Sequence, residues 1–126
     1  MNAPAESPVD LGARRAREYL HLLEAGRTED AGALVEALTD TRDLVFVGAG
    51  FTALARGLRS TLPPAARAQA NSRQMLLGQL RDANRSDVRG LRTWVRRAGE
   101  EVATVARLAE PEPAARRQLL GLPSAG

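Results

Sequence analysis

"RDLVFVGAGFTALARGLRS", residues 42 to 60, can be read in two ways. Read with a period of two, Leu44-Val45-Phe46-Val47 is a short strand that enters a Gly48-Ala49-Gly50 turn and then a helix. Read with a helical period, Leu44, Val47, Phe51, Leu54, Leu58 and Leu62 recur at spacings of 3, 4, 3, 4 and 4 on one face. That period runs through the glycines and beyond them, which a strand, turn and helix would not require. Asp40 stands where a helix N-cap is wanted, and Asp43 falls in the first turn, where a carboxylate favours the helix dipole.

The strand reading has a specific implication. Gly48, Gly50 and Ala53 fit G-x-G-x-x-G/A. Locally this resembles the fingerprint of FAD- and NAD-binding Rossmann proteins, and the opening Gly-Ala-Gly of sirtuin-like NAD-binding domains. The resemblance implies a dinucleotide whose pyrophosphate sits on the N-terminus of the following helix. The fingerprint needs a second parallel strand and an acid about 20 residues on. Here that region is "STLPPAARAQANSRQM", residues 60 to 75, with no strand pattern and no acid; the next carboxylate after Asp43 is Asp82. The expected form is therefore a central buried helix, straight or kinked at Gly48-Ala49-Gly50. An interior glycine costs about 1 kcal/mol relative to alanine. The expected compensation is a thin face at Gly50, Ala53 and Gly57, where a neighbouring helix can come close.

The flanking segments read as helices too. Ser7, Pro8 and Asp10 make a helix start, Val9, Ala13, Ala16, Leu20 and Leu23 form one face, and Gly26 is a C-terminal cap. Thr28 is placed to cap a second helix with Ala31, Leu34, Val35 and Leu38 inside, which makes an antiparallel hairpin with the first. Pro63-Pro64 is a boundary. Residues 65 to 83 follow as a helix with Met75, Leu76, Leu77 and Leu80 towards the core, then Ser86 as the cap of a long helix from Asp87 to about Ala109. Its seam is Val88, Leu91, Val95, Ala98, Val102, Val105 and Ala109, with Trp94 beside it. "EPEP" ends that helix, and "AARRQLLGLPSAG" allows a short helix closed by Gly121. The expectation is an all-α single domain, a bundle or stacked hairpins of five main helices plus a short C-terminal one. Residues 1–6 are expected to be a flexible N-terminus, 7–110 the helical domain, and 111–126 a Pro-rich break, short helix and flexible tail.

Composition limits the function classes. The 126 residues include no cysteine and one histidine, His21, so neither disulfides nor a thiolate or multi-histidine metal site can be built within one chain. No nucleophile, base and orienter assemble from what is left. The expectation is a non-enzyme without cofactor or metal. No apolar run approaches the roughly 20 residues of a membrane-spanning helix, and the start lacks a signal peptide, so a soluble cytoplasmic protein is expected. Aromatics are 3% of the chain and the apolar residues are mostly Ala and Leu, which favours close-packed helices and leaves room for help from a second subunit.

Charge is uneven. All 18 basic residues are arginine. Residues 1–43 carry −4, residues 44–97 carry +8 and residues 98–126 carry −1. Arg81, Arg85, Arg89, Arg92 and Arg96 are spaced 4, 4, 3 and 4 apart. Arg96 and Arg97 can pair with Glu100 and Glu101 at i,i+4. The stripe has three readings: a solvated face, a dock for an acidic protein surface or another copy of the chain, or a phosphate contact with DNA or RNA. A guanidinium fork suits carboxylate and phosphate alike. The leading expectation is an interaction module that docks an acidic partner, or itself, through these arginines with an apolar contact at Trp94. The alternative is a nucleic-acid-associated helical protein, such as a small subunit of a nucleoprotein complex or a regulator.

Overall fold

The computed structural model describes residues 5 to 124. They form six helices and no strand: α1 (Pro8–Glu24), α2 (Thr28–Glu36), α3 (Thr41–Arg59), α4 (Pro64–Ala83), α5 (Val88–Ala109) and α6 (Pro113–Leu119). The opening stretch is one uninterrupted helix. Asp40 accepts from the Arg42 amide at 2.7 Å and so caps α3. Among the described residues only Gly26 and Gly121 have positive φ, so Gly48 and Gly50 carry ordinary helical backbone. The strand before Gly48 is absent, and with it the phosphate cradle of the dinucleotide reading.

Gly26 and Gly121 close α1 and α6 in the same manner. Gly26 donates to the Leu23 carbonyl and Arg27 to the Leu22 carbonyl; Gly121 and Leu122 repeat this onto Gln118 and Arg117. Only a left-handed residue can make that double closure without strain, which is why glycine stands at both places.

α5 is the hub. α3 lies along it, α4, α2 and α6 pack on it, and α1 reaches it while crossing α3. At 22 residues it spans about 33 Å. Leu91, Val95, Val102 and Val105 are fully buried, facing Leu44, Val47 and Phe51 of α3 in one continuous core. Tyr19 of α1 meets Phe51 edge to face, with ring centroids 5.4 Å apart.

Glycines set the helix spacing, though not all those expected. A Cβ at Gly12 would overlap the Phe46 backbone, and one at Gly50 would sit 3.2 Å from Ala16 Cβ and 3.3 Å from Ala13 Cα. The close approach expected at Gly50 is therefore present, with α1 as the neighbour. Ala53 and Gly57 are corrected: both are exposed, and nothing lies within 4 Å of a Cβ built on Gly57. They stand past the point where α1 and α3 cross. Gly48 and Gly99 serve aromatic rings instead, Gly48 seating Trp94 and Gly99 seating Tyr19 and Phe51.

Other local expectations shift by small amounts for physical reasons. Asp87, not Ser86, caps α5, accepting from the Arg89 amide at 3.1 Å. Thr28 is already helical; α2 starts after Arg27 without a side-chain cap, and the Arg27 guanidinium holds Asp30 at 2.7 Å instead. Val9 is 63% exposed, because α1 projects its first turn past the core. In α4 the inward stripe is Ala66, Ala70, Arg73, Leu77 and Leu80. It passes through a charged residue, and leaves Met75 and Leu76 69% and 64% exposed rather than in the core.

The C-terminal segment is docked. Arg116 and Glu24 are both nearly buried and joined bidentately, with Nε and Nη2 to the carboxylate at 3.0–3.1 Å and Nη1 to the Pro111 carbonyl at 2.9 Å. Arg117 donates to the Pro123 carbonyl and contacts His21 Nδ1. Leu120 and Leu122 enter the core. The tail expected to be flexible is thus held as far as Pro123. At the other end Glu6 pairs with Arg14, and residues 1–4 and 125–126 lie outside the described residues.

Candidate interaction surface

The five arginines of the predicted stripe separate into two groups. Arg92 and Arg96 face α2. Arg92 Nε donates to the Leu38 carbonyl at 3.0 Å and Arg96 Nη1 to Glu36 Oε1 at 2.6 Å, with Arg92 Nη1 3.6 Å from the other oxygen. The pair closes the C-terminal end of α2, where unpaired carbonyls and the negative end of the helix dipole call for a cation. The hydrogen bond from Arg96 holds the Glu36 carboxyl below its ordinary pKa, with Arg92, Arg96 and Arg89 adding their charge. The i,i+4 pairs expected for Arg96 and Arg97 do not form. Glu101 is taken by Arg73 of α4 at 2.8 Å, because it lies buried in the α4–α5 contact.

Arg81, Arg85 and Arg89 form an exposed corner where α4 ends and α5 begins. Arg81 and Arg85 share one carboxylate, Asp82, at 3.2 and 3.4 Å. Those hydrogen bonds, Arg81's first, keep Asp82 ionised below its usual range. Arg89 has no carboxylate within 4 Å among the described residues. Trp94 is corrected as an apolar contact: it is 3% exposed and packed on Gly48, so it belongs to the core.

A second surface was not singled out by the sequence. Past the α1–α3 crossing lies an apolar groove of about 380 Å³. Ala13, Ala49, Gly50 and Ala53 make its floor, and Val9, Phe46 and Leu54 its walls. Arg17 lines one end, and the Arg42 guanidinium lies over the Phe46 ring at 5.8 Å. Arg42, Ala49 and Arg56 are each seven residues apart, so they share one flank of α3. That seven-residue repeat was a signal available in the sequence, hidden by the attention the glycines attract.

Ion pairing separates these surfaces from the rest. Among the described residues nine of the eighteen arginines make an ion pair. Arg59 bonds Gln74, and Arg117 bonds Pro123. The guanidiniums left with neither belong to Arg17, Arg42, Arg56, Arg67, Arg89, Arg97 and Arg107, all exposed. Of the seven, Arg17 lines the groove, Arg42 lies over its Phe46 wall, and Arg56 follows on the same flank of α3.

No group of three or more His, Cys, Asp or Glu that could hold a metal ion occurs among the described residues, and no helix there is long and apolar enough to cross a membrane. No protein-family model, no curated protein and no solved structure matches the chain.

Proposed function

We propose that this protein is a non-enzymatic helical interaction module that docks an acidic protein partner. The observation that supports it most is the corner of Arg81, Arg85 and Arg89: all three are exposed, Arg81 and Arg85 share the Asp82 carboxylate, and Arg89 has no carboxylate within 4 Å among the described residues. Arg92 and Arg96, engaged on α2, belong to the scaffold in this reading. Excess cations of this kind raise association rates with acidic surfaces and penalise basic ones. A cytoplasmic setting is part of the proposal and rests on the cysteine-free composition.

The experiment is fluorescence anisotropy with a labelled poly-glutamate peptide and, in parallel, a labelled DNA duplex and a labelled RNA strand. Binding of the peptide, weakened by Arg85→Ala plus Arg89→Ala, supports the reading. Preference for nucleic acid, with log Kd rising steeply against log salt and the double variant flattening the slope, would replace it by the nucleic-acid alternative. Absence of binding to any probe at low salt would remove the corner as a site. Light scattering across concentration tests the self-docking version, in which the acidic α1–α2 hairpin of another copy is the partner.

A further inference from the structure

We propose that the α1–α3 groove is the docking site for an acidic amphipathic helix of a partner protein. The proposal shares with the preceding section only the idea that the chain is an interaction module; it uses none of the corner arginines.

Shape comes first. Gly12 and Gly50 let α1 and α3 touch at one point. Beyond it the helices leave a trough with a floor of alanine and glycine. A helix needs such a floor, since short side chains let its axis sink between two others. Apolar surface stays in water to meet it: Val9, on its wall, is 63% exposed.

Charge selects the occupant. Arg17 lines the trough, Arg42 covers its Phe46 wall, and Arg56 stands seven residues past Ala49 on the same flank of α3; none has a carboxylate within 4 Å among the described residues. Seven residues of helix advance about 10 Å, so Arg42 and Arg56 are about 21 Å apart along α3. Carboxylates at a seven-residue repeat on a bound helix match that spacing, with leucine-like residues between them facing the floor. A second copy placed symmetrically on the same face would set its arginines against these, like charge against like. A bilayer fits a projecting apolar crest, and this surface is concave. A small ligand would want several convergent polar groups, and among the described residues Arg17 alone of the charged side chains lines the trough.

The test uses the full chain and a labelled synthetic helix of about 20 residues with Leu at core heptad positions and Glu flanking them, against the same peptide with Lys for Glu. The Glu peptide is expected to bind tighter than the Lys peptide by about tenfold at low salt. Ala53→Glu, or Ala49→Glu if the first fails to fold by circular dichroism, should weaken it by about tenfold, since either blocks the floor. Arg42→Glu plus Arg56→Glu should invert the preference. Arg85→Ala plus Arg89→Ala should leave the affinity within about twofold, which keeps this outcome separate from that of the corner. Equal binding of both peptides, indifference to the blocking variants, or no binding at about 1 mM peptide overturns the proposal. So does a dimer in sedimentation, or binding to phosphatidylserine vesicles, that Ala53→Glu abolishes, because the occupant is then a second copy or a lipid surface.

Discussion

The indole of Trp94 lies against Gly48, where a methyl group would occupy the same space as the ring. This one relationship fixes how α5 lies on α3. It also explains why a glycine persists in the middle of a helix, at a cost of about 1 kcal/mol in propensity.

Gly48→Ala should therefore destabilise the fold although it improves helix propensity. Trp94 is 3% exposed and has nowhere to move, and overpacking of this kind costs about 1–3 kcal/mol. Gly57→Ala meets nothing within 4 Å and should stabilise by up to about 1 kcal/mol. Urea unfolding of the two variants should give opposite signs; the same sign for both would contradict the packing of Trp94.

Glu24 and Arg116 tie α1 to α6 with both side chains nearly out of solvent. Removing one partner of a buried pair costs about 3–5 kcal/mol because the other charge is stranded. Glu24→Ala should show that loss in urea. Glu24→Leu with Arg116→Leu should recover part of it, since no lone charge remains. A double variant as unstable as the single one would show that Arg116's bonds to Glu110 and Pro111 carry the docking instead.

Stability should respond to acid through Glu36. Its carboxyl titrates lower in the folded chain than the ordinary 4.5, chiefly through the hydrogen bond from Arg96. A depressed native pKa means that the unfolded chain takes up the proton first. The stabilisation is thus complete above the ordinary value and is lost as pH falls through the native one. The difference in urea midpoint between the parent chain and Glu36→Gln should be present at neutral pH and shrink below 4.5. A difference independent of pH would remove Glu36 ionisation from the account.

The orientation of α4 can be checked on neighbouring leucines. Leu76→Ser, at a position 64% exposed, should change stability by no more than about 0.5 kcal/mol. Leu77→Ala, at a position 8% exposed, should cost about 2 kcal/mol or more. Reversal of that order in chemical denaturation would mean that α4 is rotated on α5.

Element type and order were legible because they depend on neighbours in the chain. The period through residues 44 to 62, the prolines at 63 and 64, the caps Ser7, Asp40 and Gly26, and the seam of α5 each report local backbone preference. α4 shows where that stops. "MLL" at 75 to 77 offers three apolar side chains to a contact that takes only Leu77, while Arg73 goes inward because Glu101 waits on α5. The arginine stripe shows the same limit: its spacing was readable, but the partners of Arg92 and Arg96, Leu38 and Glu36, are 54 and 60 residues away in sequence.

By itself the sequence determined that this chain is helical, where its main helices begin and end to within about three residues, and that its cations outnumber its acids in the middle segment. Those properties follow from side-chain spacing, capping chemistry and composition. Only the tertiary structure decided which glycines touch something, which arginines are already satisfied, and that α1 and α3 part to leave a cation-bordered trough. Each of these depends on the relative placement of helices, and so on contacts between residues far apart in the chain.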